Sequence, residues 1–396
     1  MVIYVHIPFC IKKCLYCDFL SGPCDDFSKE KYVKSLLYEI SYYGKKYGKE
    51  GRDIIVSSVF FGGGTPSILD ETLMSSIIKQ LRDSFTIEEN AEITIECNPG
   101  TLSADKLRIY KQSGVNRLSI GLQSANDDEL KNIGRIHTYE DFVRSYYMAR
   151  ECGFDNINID LMSALPGQTL KSYKETLEKI VNLNPEHISS YSLILEEGTP
   201  LYDRIEKLEK NGEDTGLPDE DTEREMYYLT KKILSDNGFE RYEISNYSKK
   251  GYECRHNIAY WIRDNYLGLG LGASSCMDNI RRKNTDDMKR YMEVFCNDHV
   301  KDISGSGVLN EEETAVLSEK DMMAEFMFLG LRMISGISKQ KFKRCFGKDY
   351  DTIYGGVTEK LIKEGLAEIF DDGDRICLSE KGIDVSNSIF VNFILD

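Results

Sequence analysis

The chain has 396 residues, 41% hydrophobic and 11% aromatic, with a net charge of −16 from 50 Lys and Arg against 66 Asp and Glu. That length supports one large core and a smaller second one, and the acidic balance excludes broad contact with nucleic-acid phosphates or anionic lipid. Mean hydropathy is −0.40, and no apolar run reaches the roughly 20 residues a membrane-spanning helix needs.

Met1-Val2-Ile3-Tyr4-Val5-His6 has neither a basic segment nor a cleavage pattern, so it reads as a strand rather than a signal peptide. A cytoplasmic protein is expected, without an integral membrane segment and with peripheral membrane contact left open. From residue 1 to about 195, β-rich runs alternate with amphipathic helical stretches. Strands are expected at Val2–His6, Ile54–Phe61, Glu92–Cys97, Arg117–Gly121, Ile157–Leu161 and His187–Leu193, with helices near 29–47, 70–84, 103–113, 139–151 and 170–182. This alternation predicts parallel strands. Gly-rich and polar residues fall at successive strand ends: Gly62-Gly63-Gly64-Thr65-Pro66, Glu96-Cys97-Asn98-Pro99, Gln123, Asp160 and Tyr191. Barrels build sites that way, so the expected fold is an α/β, open, six-stranded TIM-like barrel. Residues 1–300 form this core with its extension, which includes a helix near 222–237 and a Tyr- and Gly-rich stretch from Tyr242 to Gly272. Residues 301–318 read as a linker. Residues 319–396, with helices near 319–334, 338–346 and 356–365 and a hairpin-like Leu366–Leu378, read as a small winged-helix-like α+β domain.

Eleven cysteines, an odd number, with no export signal read as reduced thiols. Most, including Cys97, Cys152, Cys276, Cys345 and Cys377, are scattered singly as packing residues. Only Cys10-Ile-Lys-Lys-Cys14-Leu-Tyr-Cys17 is clustered. Three thiolates on one compact loop suit separate irons of a cubane and leave one iron open. Spacing alone leaves a zinc site or unligated cysteines as alternatives, although structural zinc usually takes four protein ligands.

The stretch Tyr4-Val-His-Ile-Pro-Phe-Cys10-Ile-Lys-Lys-Cys14-Leu-Tyr-Cys17-Asp-Phe19 resembles the signature of the radical S-adenosylmethionine (SAM) family. Within it, the stretch is most similar to the group of oxygen-independent coproporphyrinogen III oxidase (HemN) and the heme chaperone HemW. The resemblance implies that Cys10, Cys14 and Cys17 hold a [4Fe–4S] cluster whose open iron is chelated by SAM. It also implies that the reduced cluster cleaves SAM to a 5′-deoxyadenosyl radical. Tyr4, Gly63, Gly64, Thr65 and Glu96 match SAM-binding positions, and Gln123, Arg135 and Asp160 match positions that hold a second SAM in the oxidase. Singly, these residues would read as a turn, a cap or a surface ion pair. Their family order carries the weight, and Leu165-Pro-Gly-Gln168 and Glu196-Glu-Gly-Thr-Pro200 extend the similarity along the chain.

Two features separate the members of the group. Phe19 stands where the oxidase pattern has a further cysteine, and Arg255-His256-Asn257-Ile258-Ala259-Tyr260-Trp261 resembles the His-Asn-x-x-Tyr-Trp motif of the chaperones. There the histidine is implicated in holding heme, so His256 is the candidate heme residue, with aromatic neighbours suited to a porphyrin face. On its own, a His beside Tyr and Trp reads as a hydrogen-bonded packing residue. Gly272-Ala273-Ser274-Ser275 departs from the chaperones' Gly-Ala-His-Ser, with Ser274 at the histidine position. The resemblance implies a heme chaperone that hands heme to respiratory acceptor proteins and draws on an electron donor for its cluster. The alternative is radical chemistry on porphyrin, either coproporphyrinogen decarboxylation or a related methyl transfer.

Overall fold

The computed structural model describes residues 1–296, 302–303 and 305–395. Six parallel strands run in chain order across the middle of one sheet: β1 (Val2–Ile7), β2 (Val56–Gly63), β3 (Ile87–Cys97), β4 (Arg117–Gln123), β5 (Ile157–Ser163) and β6 (His187–Ser192). Between them lie helices α1 (Asp26–Tyr47), α2 (Glu71–Ser84), α3 (Ala104–Gln112), α4 (Asp127–Asn132), α5 (Tyr139–Glu151) and α6 (Leu170–Leu183). The helices start where Asp, Ser, Asn or Thr side chains cap free backbone N–H groups, as Thr138 and Asp141 do for α5.

A parallel strand covered on both faces is usually apolar throughout. Here the strands alternate instead. Ile3, Val5 and Ile7, Leu118, Ile120 and Leu122, and Ile157, Ile159 and Leu161 are buried in the main core. Their neighbours Tyr4, His6, Arg117, Ser119, Asn158 and Asp160 line an interior cavity. The two-residue period thus divides each strand between an apolar outer face and a polar lumen.

The expected six-strand barrel is extended at both edges. Beyond β6 lie β7 (Glu240–Arg241) and β8 (Asn246–Ser248), with β8 antiparallel to β6. On the other side β9 (Tyr266–Leu269) pairs parallel with β1, followed by β10 (Ser274–Met277), β11 (Ile280–Lys283) and β12 (Ala315–Val316). Helices α7 (Pro200–Asn211), α8 (Glu220–Asp236), α9 (Arg255–Trp261) and α10 (Met288–Val294) belong to this extension. The Tyr- and Gly-rich stretch therefore supplies a helix and sheet strands.

The stretch read as a linker is held where it is described. β12 pairs with β11, and Ile303 and Val308 are buried in the main core. Residues 301 and 304 of that stretch, and residue 396 at the end of the last domain, lie outside the described residues. The C-terminal module runs α11 (Glu319–Gly330), β13 (Ile337–Ser338), α12 (Lys339–Phe346), α13 (Tyr350–Lys363), β14 (Ala367–Phe370) and β15 (Arg375–Leu378). It has its own core around Met327, Phe342, Tyr354 and Ile376, and a three-stranded sheet ordered β13–β15–β14. Glu325, almost fully buried, ties it to the barrel through Arg263 at 2.9 Å and Arg281 at 2.5 Å.

Candidate functional site: a cysteine loop above a polar lumen

The three clustered cysteines sit on the loop that leaves β1. Backbone bonds fix this loop from several sides. Cys10 N–H donates to Gly22 O (3.0 Å), Leu15 N–H to Ile133 O (3.0 Å), and Gly64 N–H and Thr65 N–H to Ile7 O and Phe9 O (2.9 and 2.7 Å). All three thiols line one cavity of about 300 Å³ with Gly63, Gly64, Thr65, Glu96, Gln123, Arg135 and Asp160. Residues expected from dispersed motifs are therefore brought together. Among the described residues, no three His, Cys, Asp or Glu side chains converge tightly enough for a single metal ion.

Each wall residue has a physical reason for its place. Thr65 Oγ1 accepts from Asn98 Nδ2 (2.8 Å) and donates to Cys10 Sγ (3.6 Å). Arg135 donates to Gly121 O at 2.6 Å and lies 3.6 Å from Cys14 Sγ. Gly121 permits this approach, because an added Cβ would lie 2.6 Å from the guanidinium. Gln123 adopts φ +72° at the bulge ending β4, and its buried Oε1 has no partner, nor has Arg135 Nε. An unpaired acceptor and an unpaired cationic donor on one cavity fit a ligand carrying both an ammonium and a carboxylate. The three-thiol loop likewise fits a three-thiolate cluster.

Glu96 lies between this cavity and a deeper one of about 540 Å³ inside the barrel. Burial, with Asp160 adding to it, pushes the Glu96 carboxyl up to about 8. Asp160 also lines both cavities, as Ser119 and Tyr191 do, and accepts from Ser119 (3.2 Å), Asn158 (2.8 Å) and Tyr191 (2.8 Å). Tyr4 hydrogen-bonds His6 Nδ1 at 3.1 Å, and His6 Nε2 bonds Leu20 O at 2.9 Å.

His256 lies in the wall of the deeper cavity, only 2% exposed. Glu92 of β3 accepts the N–H groups of Arg255 and His256 at the start of α9, both at 3.2 Å, and so fixes this turn. The imidazole packs against Phe60, with ring centroids 5.0 Å apart. Its Nδ1 bonds Ser58 Oγ (2.9 Å) and its Nε2 bonds Tyr260 OH (3.1 Å). Burial, followed by the nearby Arg117 charge, draws it down to about 3, so the ring is neutral.

A model of the radical SAM superfamily matches residues 4–180, and one of the HemN C-terminal domain matches residues 317–385. The chain is 36% identical over 393 residues to a protein of Lactococcus lactis named heme chaperone HemW, covering 99% of this chain and 97% of that one. The chain belongs to the HemW family of radical SAM proteins. A HemW of Bacillus subtilis is also 36% identical, over 99% of this chain and 98% of its own, and that of Escherichia coli is 31% identical over 100% and 97%. The solved coproporphyrinogen III oxidase (HemN) of Escherichia coli matches with a TM-score of 0.82 over 99% of this chain and 89% of its own, at 24% identity; that match concerns the fold. Membership of the radical SAM superfamily implies a [4Fe–4S] cluster and SAM. Among the described residues, no helix is long and apolar enough to cross a membrane.

Within this HemW-family structure, the surroundings of three expected features go beyond what the local sequence shows. His256 does not present a free nitrogen to the cavity, because Ser58 and Tyr260 engage both. Trp261 does not share that cavity: its ring lies beneath the Arg332 guanidinium, 4.5 Å from the centroid, against the C-terminal module. The third concerns the glycines. A Cβ on Gly64 would meet Phe9 O at 2.6 Å and Cys10 Sγ at 3.0 Å, and one on Gly63 would meet the His6 ring at 2.5 Å. Gly64 lets β2 pack against the cysteine loop and Gly63 lets it pass the His6 ring of β1, and both also line the cysteine cavity. Ser274, at the departed histidine position, does line the deeper cavity.

Sequence reasoning gave no individual role to Asn98, Ser119 and Tyr16, which line the cysteine cavity, and it read Cys97 as packing only. Cys97 also lines that cavity, but burial pushes its thiol up to about 12, which disfavours a thiolate ligand. Asn98 was within reach, because it follows Glu96-Cys97 in an already notable motif. Tyr16 stands within the cysteine signature, and Ser119 carried no local signal.

Proposed function

We propose that this protein binds heme in the barrel lumen and passes it to acceptor proteins, with a [4Fe–4S] cluster and SAM in the adjoining cavity. The observation that carries the reading is full-length similarity to proteins named heme chaperones, at 36% identity over 97% of the Lactococcus lactis chain. The lumen supports it: about 540 Å³, with Tyr4, Phe60, Tyr260 and Tyr266 on one side, is the size and character of a site for a flat aromatic ligand. Cys10, Cys14 and Cys17 would hold the cluster. Gly63, Gly64, Thr65, Glu96, Gln123, Arg135 and Asp160, all on the cysteine cavity, would hold SAM, whereas Tyr4 lines the lumen. When bound, the cluster supplies one-electron reduction of SAM. His256 is the candidate iron ligand, and ligation at Nε2 requires Tyr260 OH to give up its hydrogen bond there. Burial keeps the imidazole neutral, so once that bond is given up the Nε2 lone pair can bind iron.

A second reading rests on a specific observation. Gln123, Arg135 and Asp160 all face the cysteine cavity, as a protein carrying out radical chemistry on porphyrin would need. Heme titration followed by transfer to an apo-hemoprotein tests the first reading, and anaerobic conversion of coproporphyrinogen III tests the second. A chaperone gives a saturable Soret band and transfer without decarboxylation. Decarboxylation without heme binding would replace the first reading with the second.

A further inference from the structure

Arg117 is among the largest fully buried side chains of the described residues, 2% exposed at the start of β4. Its Nε has no hydrogen-bond partner, and no carboxylate stands within ion-pair distance of it among the described residues. The nearby carboxylates feel its charge but are committed elsewhere. Glu92 accepts from Cys254 Sγ and the N–H groups of Arg255 and His256. Asp160 accepts from Ser119, Asn158 and Tyr191. A guanidinium buried without a partner is costly, so folds retain one where something else neutralises it. This one lines the 540 Å³ lumen cavity.

The cavity is also two-sided. Strand order places β9, β1 and β2 on one side of β3, and β4, β5 and β6 on the other. The first group supplies Tyr266, Tyr4 and Phe60, and the second supplies Arg117, Asn158 and Ser189. A flat apolar body thus meets aromatic walls while an acidic edge meets the guanidinium, whose planar fork suits a carboxylate. We propose that Arg117 anchors a carboxylate of the ligand held in the lumen. This rests on the heme reading above, under which the carboxylate is a propionate.

The test uses full-length protein with its cluster reconstituted anaerobically, titrated with heme and with heme dimethyl ester, whose propionates are uncharged. Wild-type protein should bind heme about ten- to a hundredfold more tightly than the ester, the range of a charge-assisted hydrogen bond. Arg117→Gln should lose that preference while keeping iron content and SAM binding. Arg117→Lys keeps the charge but lacks the fork, so its preference should fall to an intermediate value; this variant carries the test if Arg117→Gln fails to fold. Equal binding of heme and ester by wild type, or a full preference in either variant, would overturn the role of Arg117 and leave the heme reading standing. Wild-type protein that binds neither compound would overturn the heme reading, and the anchor with it.

Discussion

Replacing Gly64 by Ala tests whether the Gly-rich turn supports the cysteine loop. The new Cβ would lie 2.6 Å from Phe9 O and 3.0 Å from both Cys10 Sγ and Ile7 O. The closest contact is roughly 0.8 Å short of ordinary van der Waals separation. Two of the three obstructing atoms are backbone carbonyls, which cannot swing aside as a flexible side chain would. Moving the loop by that distance stretches the bonds from Gly64 N–H to Ile7 O and from Thr65 N–H to Phe9 O. Two hydrogen bonds at about 1 kcal/mol each, with overpacking strain of about 1–3 kcal/mol, give a local cost of about 3–5 kcal/mol, concentrated on the residues flanking Cys10. The expected outcome of anaerobic reconstitution is therefore reduced iron and sulfide per chain, with SAM binding falling in parallel and far-ultraviolet circular dichroism unchanged. Full iron content with selective loss of SAM affinity would refute the argument and return the glycines to a ligand-facing role.

Cys14→Ala should fail to retain the cluster, whereas Cys24→Ala should reconstitute normally, because Cys24 lines a separate surface pocket; iron analysis of both variants decides the matter. Burial holds the Glu96 carboxyl protonated up to about 8, against an ordinary 4.5, so the folded state binds more protons than the unfolded state between these values. The contribution of Glu96 to stability is thus full below about 4.5 and is lost as pH rises through about 8; Glu96→Gln should lack this decline in denaturant titrations at successive pH values, and parallel curves for the two proteins would count against it. SAM affinity should rise with pH toward 8 if ionised Glu96 accepts from the SAM ammonium, and calorimetry comparing pH 6 with pH 7.5, where the ammonium keeps its proton, would show it. Tyr260→Phe removes the hydroxyl bonded to His256 Nε2, and losing a competing hydrogen bond of about 1 kcal/mol should tighten heme binding about fivefold; unchanged affinity would remove His256 as the iron ligand.

The periodic parts of the fold were legible because their signals are local. Alternating Tyr4, Val5 and His6 already display the two faces of β1, and Thr138 with Asp141 marks the start of α5. The cysteine triad and the residues at strand ends could be read the same way, since parallel βα units bring successive carboxyl ends to one side whatever the rest of the chain does. The sequence by itself therefore determined the parallel barrel and the ring of residues around Cys10, Cys14 and Cys17. Tertiary structure decided the rest. Strands of two to four residues, such as β7, β8 and β12, are too short to show a period, and they exist only because β6 and β11 offer unpaired backbone groups. The fate of His256 was equally hidden: its partner Ser58 lies 198 residues away, and Glu92, which holds its turn, lies 164 residues away. Nor could any local pattern show that Glu92 and Asp160 are already engaged by other donors, which leaves Arg117 facing the lumen alone. Hydrogen bonding saturates by geometry rather than by composition, so which buried groups remain unpaired is settled only when the chain has closed around them.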